Sequence, residues 1–343
     1  MERNNNIDKL RFFAILFIVI HHCVVNDIGL QNYLRFDEFL YAPIVWTFVN
    51  CVCIIGVNLF FLASGYCRIK RTTQSILSYI LTVYALFIPI QLLGLVTNNI
   101  ALSKTTVFQM VDPFDYYWFL MVYFFINVFI PYLNKIIDHM DYSEYRRLLM
   151  LILFIFCGYG FLRDQNLNIS RGYSFLMGSG LYVIGGGICR FQDCFYKSYS
   201  RKRLIVLYLF VVVINTILVT VFKRGNFADE YAWRLYSYNN PLVFIESLCF
   251  FLIVLCTAKK WNCITIIAKS TLAIYIIHST CWQTRYRGII IKRILTGNVL
   301  LDLCFLLLFA LFIILVGTFY YFIFEKVLMK YIKKVSLLLS KAG

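Results

Sequence analysis

The chain alternates long apolar runs with short, mostly basic polar joints. A transmembrane helix needs about 20 mostly apolar residues. Ten stretches reach or approach that length: 10–28, 43–66, 75–97, 117–137, 147–162, 172–189, 203–222, 241–258, 263–282 and 299–324. Their apolar positions are continuous rather than alternating in period two, which argues against a membrane β-barrel. The fifth run is short. The sixth is broken by Gly178, Gly180, Gly185, Gly186 and Gly187. Small residues let helix backbones approach closely in lipid, so this run is expected as a tightly packed span. No small-residue cleavage site follows the first run, so it reads as a membrane helix and not as a signal peptide. No repeat, low-complexity segment or domain-sized loop interrupts the series. The expected fold is all-α: a polytopic integral membrane bundle of about ten helices, forming one domain over 1–343.

Composition agrees with this picture. The chain is 61% hydrophobic and 15% charged, with a mean hydropathy of +0.75; average soluble proteins are about 25% charged. The 33 Lys and Arg against 17 Asp and Glu leave a formal charge of +16. In a soluble chain that balance would suggest nucleic acid; in a membrane chain it marks the cytoplasmic side. If the N-terminus is placed inside, roughly two-thirds of the basic residues fall in inside segments, among them Arg3, Lys9, Arg11, Arg68, Lys70, Arg71 and Lys197. Both termini are therefore expected to be cytoplasmic, with no nucleic-acid partner. Arg35 and Arg224 fall outside. So does a cluster in the last outer loop (Arg285, Arg287, Lys292 and Arg293), which topology alone does not explain. Most of the twelve cysteines lie inside apolar runs and read as small hydrophobes. No metal-ligand spacing is present.

The sharpest chemical signal is in the first run, where His21 and His22 stand inside a span. Ionisable groups at that depth are costly and point to function. At roughly 100° per residue, Arg11 and His22 fall within about 20° of one another around the helix and about 16 Å apart along it. Asp8 and Asn26 fall within roughly 60° of the same stripe. His21 points elsewhere. The competing reading is that His22 only hydrogen-bonds within the bundle and Arg11 reaches to lipid headgroups.

Five segments carry a family resemblance. Ile7-Asp8-Lys9-Leu10-Arg11 followed by His22 resembles the opening of the acyltransferase-3 membrane proteins, an Arg and a His separated by ten residues. The end of the second run, Asn58 to Ser64-Gly65-Tyr66, resembles the family's second helix. Arg68 and Arg71 fit the R-x-x-R that follows it. Trp118-Phe119-Leu120 with Pro131 and Asn134, and Ile274-Tyr275 with His278, resemble two later segments. The resemblance runs over about 7–330, nearly the whole chain, with no fused extracytoplasmic domain expected.

The resemblance implies transfer of an acyl group, usually acetyl, from a cytoplasmic donor to a hydroxyl of an extracytoplasmic glycan or lipid-linked sugar. A sugar hydroxyl is a poor nucleophile and needs a positioned base, which suits histidine. His22 is then the general base or a transient acyl carrier, with Asp8 and Asn26 orienting groups along its stripe. Acetyl-CoA is the implied co-substrate, with no metal. Arg11, Arg68 and Arg71 are the candidates for its phosphates; ordinary inside topology is the alternative for the latter two. His278 is either a second polar group near the acceptor or a packing residue. Glu246 and Glu325 are expected to pair a nearby Arg or Lys. Asp112, Asp115 and the aromatics Tyr116, Tyr117, Trp233, Tyr236 and Tyr238 are further candidates for acceptor contact, against a simpler role of the aromatics at the membrane interface. The competing functions are a transporter or flippase of lipid-linked sugars, and a glycan polymerase. A transporter would more typically show two related halves, and a polymerase would favour larger outer loops.

Overall fold

The computed structural model describes residues 4–30, 41–163, 169–196, 200–224 and 234–342. Arg3, Arg35, Lys197 and Trp233, and the side chain of Arg224, lie outside the described part. All ten apolar runs are helical, and no strand occurs among the described residues. The main helices are α1 (Asn5–His22), α2 (Tyr41–Cys53), α3 (Gly56–Tyr66), α4 (Thr73–Val96), α5 (Lys104–Val111), α6 (Trp118–His139) and α7 (Tyr142–Leu153). They continue as α8 (Phe175–Arg190), α9 (Arg201–Arg224), α10 (Pro241–Leu255), α11 (Ile264–Ser279), α12 (Cys281–Ile294), α13 (Val299–Val327) and α14 (Met329–Ala342).

Among the described residues seven helical segments are long and apolar enough to cross a membrane, and the chain is a multi-pass, helical membrane protein. The other three runs depart from simple spans for visible reasons. α8 and α10 have 16 and 15 residues, or about 24 Å and 22 Å of helix, against a hydrocarbon core of about 30 Å. The ninth run ends at Ser279. Thr280 takes an extended backbone (φ −67°, ψ 138°), and the chain turns by 80° into α12. The sequence pattern reads that segment as outer loop, because its three exposed cations mask a helix.

Local chemistry sets the helix starts. The Asn4 side chain accepts from the Asn6 amide at α1. Thr72 with Ser75, and Asp141 with Glu144, form reciprocal capping boxes at α4 and α7. Asn240 followed by Pro241 starts α10. The α1 terminus is also fastened to the loop before α11: Asn5 and Trp261 exchange two hydrogen bonds of 3.0 Å.

Two features position the site. First, α1 is central, packing on α2, α3, α10, α11 and α13. Second, α8 presses against α3 more extensively than any other pair of helices. A Cβ added at Gly65 would stand 1.9 Å from the Tyr182 carbonyl oxygen, and one at Gly185 2.1 Å from that of Leu62. The glycine-rich run is tightly packed, as its sequence suggests, with Met177 to Ile188 buried without interruption. In lipid, association rests on such close packing. Gly65→Val or Gly185→Val should therefore force the backbones apart. A stability loss of about 1–3 kcal/mol or more is expected, measured as a lowered thermal midpoint in detergent.

Candidate active site

α1 does not end as an α-helix. After His22 it widens into a π turn, Cys23–Asp27, with the Ile28 amide donating to the Cys23 carbonyl at 2.8 Å. In a regular α-helix Asn26 would stand one turn beyond His22. With the wider turn, Asp27 takes the inward position and Asn26 is exposed. Asn26, expected to orient groups on the His22 face, is exposed, and the buried polar side chain of this turn is Asp27. A single inserted residue of this kind leaves no mark in the apolar pattern.

His22 meets His278 of α11. Its Nδ1 lies 3.1 Å from His278 Nε2, and the rings stack with centroids 5.1 Å apart. Proton positions follow from the partners. His278 Nδ1 is 2.8 Å from the Ile274 carbonyl, which can only accept, so this nitrogen carries the proton. In the neutral ring Nε2 is then an acceptor, and His22 Nδ1–H donates to it. That leaves His22 Nε2 with a lone pair available for chemistry. Ser279 Oγ stands 3.3 Å from the same His278 nitrogen. His21 points away and donates from Nδ1 to Asn50 Oδ1 at 2.6 Å.

A buried ion pair flanks the histidines. Arg287 donates to Asp27 from Nε and, at 3.3 Å, from a terminal nitrogen. Its other terminal nitrogen donates to the His278 carbonyl at 2.6 Å. Part of the unexplained outer cationic cluster is therefore turned inward. Asp8, by contrast, is not near His22. It lies 14 residues down the helix, about 21 Å away along the axis, and accepts from the Thr265 hydroxyl at 2.9 Å.

Below the histidine pair, α1, α3, α4, α6 and α11 line a half-open cavity of about 260 Å³. Its walls include Arg11, Ser64, Tyr79, Tyr123, Lys269 and Tyr275. Ser64 Oγ lies 3.5 Å from the Tyr123 hydroxyl. Tyr275 meets the His278 ring edge-on at 5.7 Å, so the cavity's upper wall adjoins the histidines. Two cations and five hydroxyls line it, with no carboxylate among its lining residues. This is a lining for an anion. Lys269 had no role in the sequence pattern, since a lone lysine in an apolar run carries no spacing signal.

Arg68 and Arg71 follow α3. Arg68 adopts φ +45°, in the left-handed region that non-glycine residues avoid, and reaches Asp138 at 2.5 Å and the Asn134 carbonyl at 3.4 Å. Asn134 accepts from the Tyr182 hydroxyl at 3.0 Å. Arg71 is half-buried, and its charge acts on both Tyr79 and Tyr182. Its Nε is buried without a hydrogen-bond partner among the described residues. Arg11 and Arg71 thus converge on the Tyr79 region, whereas Arg68 is engaged by a carboxylate.

Other candidates resolve into structure. Glu246 accepts from Asn215 at 3.3 Å and Glu325 pairs with the Tyr321 hydroxyl at 3.4 Å, in place of the cations expected for them. Asp112 caps the short helix Pro113–Tyr116. Tyr117 is buried and bonds Thr280 at 3.1 Å. Tyr238 is buried between Trp118 and Tyr173, and burial raises its phenol above the ordinary range. Tyr236 is half-buried under Lys223, 4.9 Å from its ring.

No curated protein and no solved structure matches this chain. A sequence profile for an acyltransferase domain matches residues 4–322. That span runs from the cap of α1 into α13 and takes in both histidines, the cavity and all three candidate arginines, so the chain belongs to the acyltransferase-3 family of membrane acyltransferases.

Proposed function

We propose that the protein is a membrane O-acyltransferase of the cell membrane. It carries an acyl group, acetyl in the simplest case, from cytoplasmic acyl-CoA to a hydroxyl of an extracytoplasmic polysaccharide or lipid-linked sugar. One observation carries this reading: a histidine pair with an available His22 Nε2, set at the head of a carboxylate-free cavity lined by Arg11 and Lys269. The anionic end of the donor binds towards Arg11, Lys269 and Arg71, on the side taken as cytoplasmic, and the thioester extends along α1 to His22. His22 Nε2 removes the proton from the acceptor hydroxyl as its oxygen attacks the thioester carbonyl. The C–S bond then breaks, and the imidazolium returns the proton to the thiolate. In the two-step variant Nε2 itself attacks the thioester carbonyl and the C–S bond breaks, leaving the acylated imidazole and a thiolate; the acceptor hydroxyl then takes the acyl group, its proton passes to the thiolate, and Nε2 is regenerated. In both, His278 holds His22 in the tautomer that leaves Nε2 unprotonated.

The test is to incubate the bilayer-reconstituted protein with acetyl-labelled acetyl-CoA and its native glycan, and to measure ester-linked label. Alkali-labile label on the glycan is expected. If loss of the protein in cells alters glycan export or chain length and leaves ester content unchanged, the assignment is wrong.

A further inference from the structure

Asp27 and Arg287 have only 5% and 4% of their side-chain surface exposed. Burying an ion pair does not by itself stabilise a fold. Desolvation offsets the attraction, and well-packed apolar residues often serve as well or better. The hydrogen bonds supply another reason for the pair. The Arg287 fork engages both carboxylate oxygens of Asp27 with two nitrogens and the His278 carbonyl with the third. That carbonyl belongs to the last turn of α11, where helix carbonyls lack an intrahelical partner. Asp27 ends the π turn that starts at Cys23, directly after His22. Arg287 therefore ties the backbone that carries His278 to the backbone that carries His22. The ring closes through the imidazoles, 3.1 Å apart.

We infer that Asp27 and Arg287 are positioning residues that set the His22–His278 geometry through these two backbone segments, an inference that rests on the acyl-transfer role proposed for the pair. The planar guanidinium is the operative feature. A lysine ammonium at 287 keeps the charge but lacks the rigid fork that spans a carboxylate and a carbonyl together. A misplacement of about 1 Å at a reacting group can cost about 100-fold in rate.

The experiment measures kcat, donor KM and thermal midpoint for the protein reconstituted in lipid bilayers with acetyl-CoA and the native glycan. Arg287→Lys is expected to lower kcat about 10- to 100-fold, with donor KM unchanged and a midpoint near wild type. The exchanged pair, Asp27→Arg with Arg287→Asp, keeps opposite charges in contact but leaves no donor at 287 for the His278 carbonyl. Its midpoint is expected to rise above that of either single reversal while kcat stays at least about 10-fold down. If the kcat of the exchanged pair recovers together with its midpoint, or if Arg287→Lys turns over at the wild-type rate, the pair is structural and the inference is overturned. His22→Ala is measured alongside. Wild-type transfer in that variant would remove the acyl-transfer role itself. An inactive His22→Ala beside an unimpaired Arg287→Lys would remove only the positioning role.

Discussion

Replacing His22 by alanine is expected to lower acyl transfer at least about 10³-fold, with folded yield and donor binding close to wild type. A positioned acid–base histidine contributes about 10²- to 10⁴-fold, and the carrier route loses its covalent site altogether. His278→Ala should cost less, about 10- to 100-fold, because it removes the acceptor that fixes the His22 tautomer and not the reacting nitrogen. The double variant should be little slower than His22→Ala, since residues that act as a unit are not additive. His21 supplies the control. Its Nδ1 is committed to Asn50, and the adjacent ring lies 5.7 Å from that of His22, so His21→Ala should change kcat by less than about 10-fold. The readout is ester-linked acetyl formed per minute at saturating acetyl-CoA. A His22→Ala protein that retains wild-type kcat would exclude both the base and the carrier roles.

The difference between what the sequence makes legible and what it hides follows from the kind of signal each residue leaves. Helix positions are legible because a span must be apolar over its whole length, so each of the ten runs finds a helix. Arg11 and His22 are legible because a charge and an imidazole in an apolar run stand out, and α-helical periodicity relates them. Periodicity fails at Cys23–Asp27, where one wider turn brings Asp27 inward in place of Asn26. His278 was visible only as an ambiguous polar group, because its contact with His22 bridges 256 positions of sequence. Arg287 was hidden in a loop-like cationic cluster, since nothing local distinguishes a buried arginine from its exposed neighbours Arg285 and Lys292. Glu246 misled in the other direction: a buried acid suggests a cation, but Asn215 lies one helix away and supplies the hydrogen bond.

Neutralising Arg11 is expected to raise the KM for acetyl-CoA about 10- to 100-fold with kcat little changed. The cavity offers Arg11 and Lys269 with no lining carboxylate to screen them. A charged hydrogen bond in such a place contributes about 1.5–3 kcal/mol, and each 1.4 kcal/mol is about tenfold in affinity. The donor's anionic end is remote from the reacting carbonyl, so this interaction is the same in ground and transition states; its loss falls on KM. Lys269→Gln should act in the same direction, and the double variant should deviate from the product of the two, because both cations meet one ligand. Arg68→Gln sets the contrast. Asp138 already engages that guanidinium at 2.5 Å, so the carboxylate weakens what it can offer a phosphate. Its KM effect is expected to stay under about fivefold at either ionic strength. The measurement is donor KM at low and high ionic strength for the four variants. An Arg11→Gln protein with unchanged KM and a depressed kcat would place the arginine with the reacting groups and remove the cavity from donor binding.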